Sequence, residues 1–378
     1  MKELLQTTEG VIILSIACLF AVSFIIQLFY YLFFYIRLAW GKVKINENAS
    51  EPVSVIICAR EEADNLEKFL PLILEQDYPN FEVIVVNDCS EDHTEDVLKN
   101  LKTKYSNLRY TTIKKDEKFT HGKKLAQTIG IKSAINEKLI FTDADCYPTS
   151  NQWLKNISGS FQSKTEIMLA YGGYEKAPGF LNKFIRYDTF FIALQYFTFA
   201  RAGIPYMGIG RNLSYLKSLF FKNKGFATHA RLLSGDDDLF VNETANSKNT
   251  TIVFTADSIT RSVPKKKFIL WLRQKKRHRT TFTRYKPSHK ILLATEPISR
   301  MFFYSSFIAL LVFQFFPIWV LVAFAIRLIV QLLTLYFATR SLQEKDLLLY
   351  SPIFDLLFIF TGFMIIFSGK LRNPYVWK

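Results

Sequence analysis

Asp143 and Asp145 stand one residue apart in "FTDADCYP" (141–148), where an apolar run ends. In extended chain, residues i and i+2 face the same side, so both carboxylates can address one object. Side by side and uncompensated they repel, and a hard divalent cation with oxygen ligands removes that repulsion. Mg2+ or Mn2+ keeps several waters and is completed by substrate phosphates, so the pair reads as a metal site for a nucleotide diphosphate. Taken alone, the pair also fits a turn with two solvated acids. A second acidic group, "SGDDDLF" (234–240), follows the same logic. Adjacent acids raise one another's pKa, which makes one of Asp236, Asp237 and Asp238 a candidate general base, or else an acidic turn at a helix start. Asp88 ends "FEVIVVND" and is placed to accept a hydrogen bond from a base N–H or to cap the next helix. Lys123, in "THGKKLAQ", can counter a phosphate or remain solvated. Gln274 and Arg277 sit three apart, on one face of a helix.

The elements that must position these residues alternate. "PVSVIICA", "FEVIVVND", "LRYTTIK" and "KLIFTDAD" read as strands, and the segments between them carry apolar residues at helical spacing. The fold class expected is α/β, with a mostly parallel sheet and helices on both faces. Such sheets bind ligands at the carboxyl ends of their strands. Those ends here carry Arg60, Glu61 and Glu62, then Asn87 and Asp88, then Asp143 and Asp145, all converging on one edge.

Outside this middle the chain changes character. Of its 378 residues, 49% are hydrophobic and Phe occurs 36 times, more than an ordinary soluble core uses. Val11 to Ile36 is an uncharged run, with Gln27 as its one strongly polar residue, long enough to span a bilayer. Met301 to Thr339 is apolar around Pro317 and fits a two-helix hairpin. Leu347 to Ser368 is apolar but carries Pro352, Asp355 and Gly362, and either spans, lies in the interface or re-enters. Arg37, Lys42 and Lys44 after the first helix place the middle of the chain in the cytoplasm. Four cysteines without paired or metal-ligand spacing read as reduced thiols. From Arg261 to Lys290 there are twelve Lys or Arg and no acid, interleaved with Phe268 to Leu272, which reads as a basic amphipathic interface helix. The aromatic stretch 184–207, bounded by basic residues, reads as a second interface element that delivers a membrane-borne acceptor. The boundaries expected are 1–45 for an N-terminal membrane helix, 46–260 for the catalytic domain, 261–297 for the basic segment and 298–378 for a C-terminal membrane region of two to three helices.

The order "VSVIICAREEADNL", "VNDCSEDHT", "GKKLA", "TDADC", "GIGRNLSY", "GDDDLF", "QKKRH" resembles the membrane-integrated family 2 glycosyltransferases, which include the cellulose, hyaluronan, chitin and poly-N-acetylglucosamine synthases and ceramide glucosyltransferase. The resemblance covers about residues 50–280 and implies a GT-A fold with inverting transfer from a nucleotide-activated sugar, with Mg2+ or Mn2+ as cofactor. Carried over, it implies that Ala59, Arg60 and Glu62 line the nucleotide pocket and that Asp88 contacts the base, uracil if the donor is UDP-linked. Lys123 falls at a diphosphate-contacting lysine. Asp143 and Asp145 match the D-x-D, with Asp145 the more direct ligand. Asp237 matches the general base, beside Asp236, and Gln274 and Arg277 match Q-x-x-R-W, which holds the diphosphate. The chain departs from the pattern at His278, where the motif has tryptophan, and at Glu61-Glu62, where it has N-E. With few membrane segments after the catalytic part, these departures favour single transfer to a lipid or lipid-linked acceptor at the cell inner membrane over a processive polysaccharide synthase. Two readings of other classes are a sugar-phosphate nucleotidylyltransferase and a non-enzymatic anionic-lipid binder. The first lacks its Gly-rich loop here. The second leaves the acidic motifs without a purpose. A net charge of +15 suits an anionic leaflet, and nucleic acid is not expected as a partner.

Overall fold

In the computed structural model, which describes residues 7–40, 43–114, 122–232 and 234–367, the chain divides into two compact units. Among the described residues, one unit is drawn from the N-terminal helix, residues 286–340 and residues 344–367; the other covers the middle of the chain through Tyr285, with 341–343.

The middle unit begins with β1 (Val53–Ala59), α2 (Ala63–Leu74), β2 (Phe81–Asp88), α3 (Thr94–Lys104), β3 (Leu108–Ile113), α4 (Lys123–Ser133) and β4 (Lys138–Asp143), where α1 is the N-terminal helix Thr8–Phe29. These are the alternating elements the sequence predicts. Every residue of β1 is buried, as a central parallel strand covered on both faces requires. The chain continues through β5 (Cys146–Pro148), α5 (Trp153–Gly159), β6 (Ile167–Ala170), β7 (Gly172–Tyr174), α6 (Phe180–Arg201), β8 (Leu213–Leu216), α7 (Lys217–Lys222), α8 (Asp238–Thr244), β9 (Thr250–Val253), β10 (Thr260–Ser262) and α9 (Phe268–Phe282). The main sheet has the order β3-β2-β1-β4-β8-β6-β9, with β8 antiparallel to both of its neighbours. A small second sheet, β5-β10-β7, follows directly from the Asp143–Asp145 turn.

Register brings the polar strand ends level. Ala59 pairs with Asn87, and Cys58 pairs with Asp143, so the ends of β2, β1 and β4 form one rim. Just past that rim the backbone is left-handed at Glu61 (φ 54°) and Cys89 (φ 56°), a conformation that costs free energy for side chains of this kind. The two loops hold each other there. Glu61 N donates to Ser90 Oγ at 3.0 Å, and Glu91 N donates to Glu61 Oε1 at 2.8 Å.

The reading of 184–207 as an interface element is corrected. It lies largely in α6, whose Phe190, Phe191 and Phe197 are 0%, 5% and 0% exposed. α6 packs on the sheet: Tyr196 Oη donates to the Ala170 carbonyl at 2.9 Å, and Phe197 meets the Phe254 ring at 6.1 Å. A helix that covers a sheet and one that lies in lipid have the same composition, so aromatic density did not separate them. Phe190→Ala should therefore cost about 3 kcal/mol, as a cavity in a packed core does. Thermal unfolding in detergent would show this; an unchanged midpoint with selective loss of transfer would restore the interface reading.

In the other unit, α1 runs on through short π and 3-10 turns to Leu38. It is joined by α10 (Pro287–Val312), α11 (Pro317–Ser341) and α12 (Ser351–Phe367). Among the described residues, three helical segments, Thr8–Leu38, Pro317–Ser341 and Lys345–Ile365, are long and apolar enough to cross a membrane. Two helices flank Pro317 as expected, but the first starts earlier, at Pro287, with proline in its first turn, and of the pair only α11 is among these segments. That added length carries Glu296 and Arg300, whose side chains pair within the helix at 2.5 Å. A buried polar network ties the four helices together. Arg327 reaches Asp355 at 2.7 Å, Gln27 at 2.8 Å, Tyr304 at 3.0 Å and Gln331 at 2.6 Å, and Arg300 reaches Asp355 at 3.1 Å. Asp355, which argued against spanning when read alone, is thus neutralised from two sides.

Candidate active site

The acidic motifs meet through one lysine. Lys123, the first residue of α4, places Nζ 2.8 Å from Asp143 and 3.1 Å from Asp236. Burial opposes its charge, but Asp143, Asp236 and Asp237 outweigh that and hold its pKa well above the usual lysine range. The converse holds for Asp143: burial would raise it, yet Lys123 above all, then Arg211 and Arg277, keep it ionised below the usual carboxylate range. Asp145 is raised instead, by burial and by Asp143. It accepts from Ser262 Oγ on β10 at 3.1 Å and from Cys146 Sγ at 3.3 Å. Carboxylate oxygens of Asp143 and Asp145 and the Cys146 sulfur all lie within 4.8 Å of one another. Two carboxylates at that spacing suit a divalent cation, with oxygen donors predominating.

Asp237 caps α8. Its Oδ1 accepts from Asp238 N at 2.7 Å and its Oδ2 from Gly210 N at 2.7 Å. The site packs closely around Gly210, where an added Cβ would sit 3.2 Å from Lys123 Nζ and 3.4 Å from Asp237 Oδ2. Burial, then Asp236 and Asp238, push Asp237 up to about 7, the range of a general base working near neutrality. Asp238 turns the other way. Its Oδ2 accepts from Tyr285 Oη at 2.8 Å and from Thr281 Oγ1, so it anchors α9 to the base turn. Lys124, next to Lys123, donates to the carbonyls of His229 and Leu232 at 2.6 and 2.9 Å and fixes the loop that leads into the acidic motif.

On the opposite rim, Ala59 is fully buried and Asp88 is buried at the end of β2. Asp88 is not the helix cap that the sequence left open, for the residue before α3 is His93. Glu62 accepts from Asn65 at 2.5 Å, and burial, then Asp145 and Asp143, push it up to about 7. Arg60 lies on the same loop, partly exposed. On α9, Gln274 Nε2 donates to Tyr174 Oη at 3.2 Å, and Arg277 is one of the cations acting on Asp143. His278 is exposed, and surrounding protein, then the cations Arg277, Lys275, Arg211 and Lys123, lower the pKa of its imidazole. Trp271 of α9 is buried against Phe184, and Lys275 pairs with Asp188 at 2.5 Å, which docks this helix on α6. Sequence reasoning missed Arg211, Tyr174 and Ser262. "GIGRNLSY" was noticed as a block, but nothing in it marked Arg211 as facing the carboxylates.

Acidic pairs and a lysine stand together on the carboxyl rim of a mixed α/β sheet of the GT-A type. Residues 54–221 match the model of glycosyl transferase family 2. Glycosyltransferase AglE of Haloferax volcanii is 36% identical over 141 residues, 36% of this chain and 44% of that protein. Dolichyl N-acetyl-alpha-D-glucosaminyl phosphate 3-beta-D-2,3-diacetamido-2,3-dideoxy-beta-D-glucuronosyltransferase of Methanococcus voltae is 30% identical over 178 residues, 45% of this chain and 50% of that protein. The matches therefore span half or less of these relatives' lengths. In fold, the mannosyltransferase PcManGT of Pyrobaculum calidifontis, solved with GDP-Man and Mn2+, superposes with a TM-score of 0.59 at 19% identity, over 94% of this chain and 99% of that one.

Proposed function

We propose that this protein is a membrane-bound inverting glycosyltransferase that moves a sugar from a nucleotide-sugar to a hydroxyl of a lipid or lipid-linked acceptor. The observation that carries the reading is Lys123, which joins Asp143 of the D-x-D to Asp236 of the acidic motif, with Asp237 beside it. In this reading the donor lies along the rim, with its base toward Asp88, its nucleoside near Ala59, Arg60 and Glu62, and its diphosphate at Lys123, Gln274 and Arg277. Asp143 and Asp145 would hold Mg2+ or Mn2+, which when bound supplies positive charge to the diphosphate. Asp237 takes the proton of the acceptor hydroxyl. That oxygen forms a bond to the anomeric carbon as the bond to the diphosphate oxygen breaks on the opposite face, and Arg277 and Lys123 balance the charge left on the diphosphate.

A lipid-linked acceptor is supported by the name of the M. voltae relative, which transfers to a dolichyl-phosphate-linked sugar, and by the three helices able to cross a membrane. His278 in place of the motif's tryptophan supports one transfer rather than polymerisation. Exposed Ile269 and Leu270 beside Lys265 to Lys267 suit contact with an anionic leaflet, with the catalytic unit on the cytoplasmic side. UDP is the donor nucleotide proposed, with GDP as the alternative.

Two measurements test this. Mass spectrometry of lipids from cells with and without the chain should show a glycolipid that carries one added sugar; a long polymer would support the synthase reading instead. Turnover of the nucleotide-sugar should stop in excess EDTA and return with Mn2+ or Mg2+, whereas full activity in EDTA would remove the metal from the scheme.

A further inference from the structure

We infer that Arg211 is a further cation of the donor site, holding the phosphate nearest the transferred sugar; this rests on the nucleotide-sugar reading above. Its backbone is fixed at the rim. The Thr142 hydroxyl, directly before the D-x-D, donates to the Arg211 carbonyl at 3.1 Å, and the Thr260 hydroxyl of β10 donates to the same oxygen at 2.9 Å. Its neighbour Gly210 binds the base Asp237 at 2.7 Å. Arg211 thus stands between the metal pair and the base, where bonds are made and broken.

The side chain is aimed as well as anchored. Gly172 of β7 presses on its root, for a Cβ there would come within 2.8 Å of Arg211 Cβ. The guanidinium lies 4.3 Å from the Tyr174 ring centroid, and the Tyr174 hydroxyl is bonded to Gln274. Among the described residues its hydrogen bonding is one long contact, to the Gly173 carbonyl at 3.4 Å. An arginine offers five N–H donors in a fork that matches phosphate, so most of the fork is left for the pocket. The fields of Tyr174, Cys146, Asp145 and Asp143 keep it charged against burial.

Strand order gives the direction. Asp88 ends β2, Asp143 ends β4, and Arg211 leads into β8, in the sheet order β2-β1-β4-β8. Three strand spacings of about 4.8 Å carry one from the base contact to Arg211, about 14 Å in all. That is on the order of the length of a nucleotide-sugar, so Arg211 meets its distal phosphate while Lys123 and the metal pair hold the middle.

The experiment is calorimetric titration of the detergent-solubilised full chain, with Mn2+ present, using UDP, GDP, UMP and GMP. Wild type should bind one diphosphate better than its monophosphate. Arg211→Gln should weaken that diphosphate about tenfold, as loss of a charge-assisted contact does, and leave the monophosphate within about twofold. Arg211→Lys keeps the charge without the fork and should fall between them; if the glutamine variant does not fold, the lysine variant is read by the same ratio. Equal weakening of both ligands, or of neither, would overturn the assignment and leave the glycosyltransferase reading standing. Failure of wild type to bind either diphosphate would remove both.

Discussion

Asp237→Asn should abolish sugar transfer while donor binding persists. The substitution nearly keeps volume, and its single amide oxygen can keep one of the two bonds from Gly210 N and Asp238 N, but it cannot take a proton. General-base assistance is typically worth about 10²–10⁴-fold, so kcat should fall by that much with the donor's dissociation constant within a few-fold of wild type. The pH dependence follows from the same group. Burial and the acids on either side push Asp237 up to about 7, so the ionised base predominates above that pH and is lost below it. kcat/KM for wild type should therefore rise through about pH 7 and level off on the alkaline side. A rate that is flat from pH 5.5 to 8.5, or an asparagine variant that transfers at near wild-type speed, would move the role to Asp236.

The second large effect is expected in the helical unit. Asp355→Leu leaves Arg327 with only the neutral groups of Gln27, Gln331 and Tyr304, while Arg300 keeps Glu296. Removing one member of a buried pair strands the other charge and costs about 3–5 kcal/mol. The variant should unfold well below wild type in detergent. Arg327→Leu should cost less, because Asp355 keeps Arg300 at 3.1 Å. The double variant should recover much of the loss, since replacing a whole buried pair by apolar residues is often neutral. Additive losses would show that the pair is not the coupling element.

Much of the catalytic unit was legible because the relevant signals are local. A buried parallel strand is a short apolar run, and its polar end names its own rim residues, so Asp88, Asp143 and Asp145 stand where the sequence put them. What stayed hidden depends on partners distant in sequence. β10 is three residues long and has no pattern of its own, yet its Ser262 steadies Asp145 and its Thr260 steadies Arg211. α6 was misread because burial on a sheet and burial in lipid select the same side chains. Glu296 and Arg300 masked the start of α10, because two charges look like the edge of an apolar block until their pairing is seen.

The network around Arg327 bears on how the protein is made. The ribosome completes α11 before it makes α12, so Arg327 is made before its partner Asp355. A lone arginine at the centre of a helix resists insertion by about 2.5–3.5 kcal/mol. Gln27 is already available on α1 and Tyr304 on α10, and both touch Arg327 in the finished fold. In the membrane-bound reading proposed above, these earlier helices would offer α11 a provisional dock until Asp355 arrives to neutralise it. Synthesis of the membrane unit becomes order-dependent: a chain arrested before α12 should hold α11 loosely, and the same chain with Arg327→Leu should release it into the bilayer without waiting.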